Sequence, residues 1–326
     1  FPDSHYLAVS GGGQNGAFGA GVLCGWTARG DRPSFKVVTG ISTGALTAPF
    51  AFLGSDYDRQ LREVYTSIDQ KDIAIFQGLL SLIRADSAFN TAPLSKLAEK
   101  YFTRAMLDQI AREHRKGRRL FIGTTYLDAG RPVVWDIGKI ACSARPDRVE
   151  LFRKVLLASA AVPAAFPPVY LKVTGADGRT YDEMHVDGNV TRALFLLPSE
   201  LRFSELRAGQ GVQRRSHLYI IRNARYGPDY DDVRPRVGAI AVRAIDTLVK
   251  SQANGDLLTL YYEARENNMS YAVTSIPDEF EDDSRSMFDR KYMTRLFDAG
   301  YELGHNGKAW RAKPSLEREP ATRPSR

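Results

Sequence analysis

The sequence predicts an α/β fold built on a mostly parallel sheet with helices on both faces. Two observations carry that reading. The first third of the chain alternates short apolar runs with helical stretches, and a glycine-rich turn sits at each of two strand-to-helix transitions. A β-α-β-α order of this kind favours parallel strands covered by helices. Length and composition agree: 326 residues, 43% hydrophobic and 25% charged, suit a globular chain with a substantial core.

Residues 6–10 read as a strand, 16–29 as a helix, 36–40 as a strand and 45–52 as a helix. Residues 55–115 are mostly helical by period, with amphipathic pieces around 61–68 and 94–114. The apolar stretch IAIFQGLLSLI (73–83) reads as a core or packing helix, with a lipid-facing lid as the alternative. Strands return at 120–126 and 133–137, joined by the turn LDAGRP. A helix at 151–160 comes next. The uncharged run 155–171 approaches the length of a membrane span, but Pro163, Pro167 and Pro168 break it into a short helix and a buried extended connection. Further strands are expected at 184–186, 217–221 and 271–275, with helices at 237–267 and 293–304. The loops NARYGPDYDDVRP and IPDEFEDDSRS read as surface excursions. One α/β domain over 1–307 accounts for this order, followed by a basic, flexible tail at 308–326.

The formal net charge is +7, and the tail, with six cations and two carboxylates, holds more than half of it. A solvated tail explains that excess, and attraction to anionic lipid is the alternative. Nucleic acid is not indicated, because no nucleic-acid motif and no aromatic-interleaved basic stripe is present. Neither Cys24 nor Cys142 lies in a C-x-x-C pair, so no zinc or redox motif is expected, and Cys24 reads as a small buried hydrophobe. The chain begins at Phe1, and the expectation is that an upstream segment has been removed or left out.

Residues 8–20, AVSGGGQNGAFGA, place Gly11, Gly13 and Gly16 in the spacing G-x-G-x-x-G. Such a turn aims unpaired N–H groups at one spot that favours negative charge, on a cofactor pyrophosphate or on a transition-state oxygen. A dinucleotide site needs an acidic residue after the second strand. The second strand, KVVTG, ends without one and runs instead into Gly40-Ile41-Ser42-Thr43-Gly44. G-x-S-x-G between strand and helix is a nucleophile elbow, in which small neighbours permit a sharp turn and lift Ser42 Oγ above the sheet. The N–H groups of Gly11, Gly12, Gly13 and Thr43 then read as an oxyanion hole, in which each donor is worth about 3 kcal/mol of transition-state stabilisation.

Ser42 needs a base. His5, His114, His185, His217 and His305 carry no catalytic signature, although His185 would share a strand face with Asp187. Asp187, in EMHVDGNV, is the alternative, while an Asp-Gly turn is the common structural use of that pair. A Ser-His-Asp esterase and a nucleotide- or lipid-binding module therefore stay open at this point.

The ordered motifs GGGQNG, GISTG and DGN, the last after SAAVPAAFPPV, resemble the patatin-like phospholipases, and GTTYLDAGRPVVWDIG extends the likeness. The resemblance implies a three-layer α/β/α sandwich and a Ser–Asp dyad of Ser42 and Asp187. It also implies hydrolysis of acyl esters in phospholipids or other acyl lipids, without a metal or cofactor. Gly16, Gly40, Gly44, Gly188 and Asn189 support the motifs. Two positions depart from the pattern: Asn15 stands where the family often has Lys or Arg, and Asn189 where a second glycine is usual. Asparagine tolerates a left-handed backbone, so the turn is expected to survive. Bacterial members often act at the cell envelope or beyond it, which is the expectation for the compartment, with an anionic membrane surface as a plausible partner.

Overall fold

The computed structural model describes residues 3–73, 75–76, 89–90, 92–197, 215–227, 232–284 and 286–314. Strand β1 (Ser4–Val9) leads through a glycine loop into α1 (Gly16–Arg29), and β2 (Val37–Ile41) leads directly into α2 (Thr43–Leu53). Helices α3 (Asp58–Thr66) and α4 (Gln70–Ile73) come next. Strands β3 (Ile75–Phe76) and β4 (Phe89–Asn90) form a separate two-residue ladder. The expected helix over 73–83 is thus replaced at Ile75–Phe76 by extended chain, and residues 74 and 77–83 lie outside the described residues.

The amphipathic stretch 94–114 is two helices, α5 (Ala92–Tyr101) and α6 (Arg104–Arg115). Thr103 divides them, because its side chain caps the second by accepting the N–H of Met106. Strands β5 (Arg119–Tyr126) and β6 (Arg131–Asp136) form the expected hairpin. They are followed by α7 (Ile137–Cys142), α8 (Arg148–Ser159), β7 (Val169–Thr174) and β8 (Thr180–Asp187). The chain closes with β9 (Ser216–Arg222), α9 (Val237–Glu266), β10 (Met269–Ser275) and α10 (Arg290–His305).

The main sheet runs β10-β9-β1-β2-β5-β8-β7, with β6 also on β5. The five strands from β10 to β5 are parallel, and β6, β7 and β8 are antiparallel. Alternation along β1 feeds two cores. Leu7 and Val9 pack with Phe18, Phe50, Met106 and Phe297 on one face. Tyr6 and Ala8 pack with Leu194, Leu257 and Leu260 on the other. Helices therefore cover both faces of the sheet, as the sequence predicts. Cys24 is buried with its thiol pushed up to about 12 by desolvation, and no described helix is long and apolar enough to cross a membrane.

Packed chain continues past the boundary expected at 307. Ala309 is buried, Trp310 packs at a steep angle against Trp26 and edge-on against Tyr219, and Arg311 pairs with Val273. Residues 315–326 lie outside the described residues.

Helices α1 and α10 approach closely through glycines on both partners. A Cβ at Gly21 would lie 2.0 Å from the Phe297 carbonyl oxygen, and one at Gly304 would lie 2.4 Å from that of Val22. Gly21→Val must therefore push the helices apart, at a cost of about 1–3 kcal/mol. The expected outcome is a lower midpoint in chemical denaturation, and an unchanged midpoint would refute the contact.

Candidate active site

Strand β5 has two edges and three neighbours. β6 pairs with residues 121–126 along one edge. β2, on residues 119–123, and β8, on residues 124–126, must therefore share the other. Those two strands meet end to end: Ile41 lies opposite Gly123, and Asp187 lies opposite Thr124. The residue leaving β2 is Ser42, so the topology alone delivers a serine and an aspartate to one junction.

At that junction Ser42 turns sharply, with φ 55° and ψ −127°, a conformation L-residues rarely adopt. Its neighbours permit the turn. A Cβ at Gly40 would sit 2.3 Å from the Gly44 carbonyl, and one at Gly44 would sit 2.3 Å from that of Val9. Ser42 N–H donates to Ser159 Oγ at 2.9 Å, and the Ser159 hydroxyl donates to the Gly123 carbonyl at 2.6 Å. Ser42 Oγ donates to Asp187 Oδ2 at 2.6 Å.

Asp187 is buried, and its other oxygen accepts the Asn189 N–H at 2.8 Å. Burial pushes its carboxyl up to about 7, although both hydrogen bonds favour the charged form. Gly188 packs against the Gly123 carbonyl, where a Cβ would approach to 2.7 Å. Asn189 corrects one expectation. It lies in a short 3-10 turn (Gly188–Val190) and not in the left-handed region, so its tolerance for positive φ is not called upon.

The glycine loop lies beside the elbow because β1 and β2 are parallel neighbours, Val9 opposite Gly40. Gly12 and Gly13 have φ of 152° and 55°. Gly11 abuts the Asn189 side chain, and Gly16 abuts the Thr43 hydroxyl. Asn223, fully buried although it opens a loop read as a surface excursion, braces the turn. Its N–H donates to Ser10 Oγ, its side-chain amide donates to the Ser10 carbonyl, and its Oδ1 accepts the Gly19 N–H. Asn15 accepts a hydrogen bond from the Tyr292 hydroxyl.

Residues 7–198 match the family model described as patatin-like phospholipase. The chain belongs to the patatin-like phospholipase family. Among solved structures, the crystal structure of VipD from Legionella pneumophila is similar at 13% identity and a TM-score of 0.46, covering 94% of this chain. The chain spans 66% of that structure's length. No curated protein matches the chain.

Next to Ser42, this patatin-like chain holds a cavity of about 140 Å³. Gly13, Ser42 and Thr43 supply polar groups, and Leu46, Val64, Leu97, Phe102, Phe166 and Met293 are among its apolar walls. Tyr65, also on the wall, turns its hydroxyl to Thr43 Oγ1 at 2.7 Å and to Thr47 Oγ1 at 2.9 Å. The histidines are engaged elsewhere. His185 bonds Thr124 and Glu183, His217 bonds Ser270 and Asp3, His5 stacks on His217, and His305 stacks on Tyr301. His114 faces Asp136. Among the described residues, no cluster of His, Cys, Asp and Glu could hold a metal.

Ser159, Asn223 and Tyr65 carry no motif that sequence reasoning singles out. The one local signal is at Asn223, a polar residue directly after the apolar strand HLYIIR, at the sheet edge where ligands of α/β folds bind. Ser159→Ala leaves the Ser42 N–H and the Gly123 carbonyl without this partner in a buried site. The expected cost is about 1–3 kcal/mol of stability, read by urea denaturation, and no loss would contradict the assigned contacts.

Proposed function

We propose that the chain is a serine acyl hydrolase that cleaves ester bonds of phospholipids or other acyl lipids through Ser42 and Asp187. The observation that carries this reading is the 2.6 Å Ser42–Asp187 hydrogen bond beside an apolar cavity. Asp187 takes the Ser42 proton as Oγ attacks the ester carbonyl carbon. The charge that develops on the carbonyl oxygen is received by the N–H groups of Gly11, Gly12, Gly13 and Thr43, where the N-terminal end of α2 also favours negative charge. The leaving alcohol then takes the proton from Asp187, and the acyl group stays on Ser42. In the second half, Asp187 takes a proton from water as the oxygen attacks the acyl-enzyme, and it returns that proton to Ser42 Oγ as the ester bond to Ser42 breaks and the fatty acid leaves. The cavity walls accept the acyl chain. The raised pKa of Asp187 makes it a stronger base than an ordinary carboxylate, which favours a dyad without histidine.

A fluorophosphonate probe is expected to form an adduct on Ser42 and none on Ser42→Ala, located by mass spectrometry. Folded wild-type protein that takes no label would sink the reading. Asp187→Asn is expected to lower kcat by about 10²–10⁴. His217→Asn and His305→Asn are expected to leave it within a few-fold of wild type, whereas collapse of either would favour a histidine base.

The same carboxyl makes pH do two things. Activity is expected to rise with pH through about 7 as Asp187 loses its proton. Stability moves the other way. The folded-state pKa lies above the unfolded one, so between about 4 and 7 the native state binds more protons and folding weakens as pH rises. Asp187→Asn is therefore expected to be far less active yet more stable than wild type at pH 8, by up to a few kcal/mol. The gap should close at pH 4, and equal stability at both pH values would contradict the burial argument.

A further inference from the structure

Helix α9 packs on the sheet over only half its length. Asn254 accepts a hydrogen bond from Arg222, the last residue of β9, and Asp256 accepts the N–H groups of Ala193 and Leu194. From there Leu257, Leu260 and Ala264 line the core as the helix descends to β10. Because β9 and β10 are parallel, the helix passes from the carboxyl edge of the sheet to the amino edge. Residues 237–253 therefore run on beyond the carboxyl edge, the edge that carries Ser42 and Asp187. That extension measures roughly 25 Å at 1.5 Å per residue.

The extension is amphipathic, and its apolar side chains are exposed. Val237 is 88% exposed, Val242 70%, Leu248 69% and Ile245 61%. At about 100° per residue, Val237, Ile240, Ala241, Val242, Ile245 and Leu248 spread over an apolar arc of roughly 200°. Arg243, Asp246, Thr247 and Lys250 take the opposite side, where Asp246 pairs with both cations. A helix-to-helix seam uses a narrower stripe, whereas a wide apolar arc backed by cations is the pattern of a helix lying in a lipid interface. Arg234 and Arg236 stand exposed at the outer end, two cations placed beside the apolar arc where headgroups of a lipid surface would lie.

We propose that residues 237–250 dock the protein on an anionic phospholipid surface, with the apolar arc in the headgroup–acyl boundary and the sheet edge bearing Ser42 turned toward the lipid. The choice of lipid as partner rests on the acyl hydrolase reading. Docking itself is a property of the helix and is measured without turnover.

The test floats the full chain carrying Ser42→Ala on vesicles of phosphatidylcholine alone and of phosphatidylcholine with phosphatidylglycerol at two to one. Binding is expected on the anionic vesicles. It should fall at least tenfold when Ile245→Asp and Leu248→Asp are added, and Arg234→Glu with Arg236→Glu should erase the preference for anionic lipid. In the Ser42 background the same exposed substitutions should leave hydrolysis of a short-chain water-soluble ester unchanged, which shows that the fold is intact. Vesicle binding unaffected by the Asp pair would overturn the proposal. So would a sedimentation shift from dimer to monomer with vesicle binding unchanged, which would assign the face to a second copy. If wild type cleaves no ester at all while the Asp pair still abolishes vesicle binding, the hydrolase reading fails and the docking site stands.

Discussion

Two strands arriving from opposite directions share one edge of β5, and the proposed chemistry depends on that meeting. β2 stops at Gly123 and β8 takes over at Thr124, so the ends of both strands, Ser42 and Asp187, are forced together although 145 residues separate them. The arrangement holds Ser42 in a backbone conformation that costs on the order of 1–3 kcal/mol. Compensation comes from what lies on either side. Every residue of β2 is buried, and α2 places Phe50 and Phe52 in the core, where each such side chain contributes about 1.5–3 kcal/mol. Ser159 holds the Ser42 amide to β5 from a third direction. The turn is stable because it is over-determined.

Burial gives Asp187 its character, as a comparison with Asp256 makes clear. Both carboxyls are pushed up by desolvation, and both accept backbone N–H groups. Asp256 accepts from Ala193, Leu194 and the Gln252 side chain, and its acceptor capacity goes to tying α9 to the segment beyond Asp187. Asp187 accepts one backbone N–H and one hydroxyl, and that hydroxyl belongs to a residue that can lose its proton. Among the described residues no cation is hydrogen-bonded to it, and a cation there would lower its pKa and weaken it as a base. On the proposed reading, the cost of burying Asp187 and its strength as a base have one origin, the desolvation of its carboxyl.

Much of this is legible in the sequence because the relevant signals are local. The limits of α1 coincide with the expected helix, since the glycine loop starts it and Gly30 in a left-handed cap ends it. Strand β7 escapes a sequence reading because it offers little apolar alternation: only Leu171 is buried, and Pro167 and Pro168 precede it. Helix α7, six residues long, is too short to show a period. The elbow and the glycine loop announce themselves by spacing, whereas DGN reads equally well as a plain turn until β8 is seen to end against β2. Ser159 and Asn223 carry no pattern of their own. Their roles arise from where α8 and β9 terminate, a tertiary fact that no local window contains.

The carboxyl edge gathers three features with one physical logic. An acyl chain leaving a bilayer for water would lose about 0.8 kcal/mol per methylene, a prohibitive sum over a fatty chain. The cavity beside Ser42, walled by Leu46, Val64, Phe102 and Phe166, offers an environment about as apolar as the one the chain leaves. Transfer is then nearly neutral, provided that water does not intervene on the way. That condition concerns orientation and not affinity, because the cavity mouth must face the lipid while the chain crosses. On the proposed reading, a helix that extends past the same edge, wide in its apolar arc and too polar on its far side to cross the bilayer, supplies orientation without spanning it. On that reading, the buried Ser42–Asp187 pair and the exposed helix answer two halves of one problem, how to expose an ester to a base without exposing its chain to water.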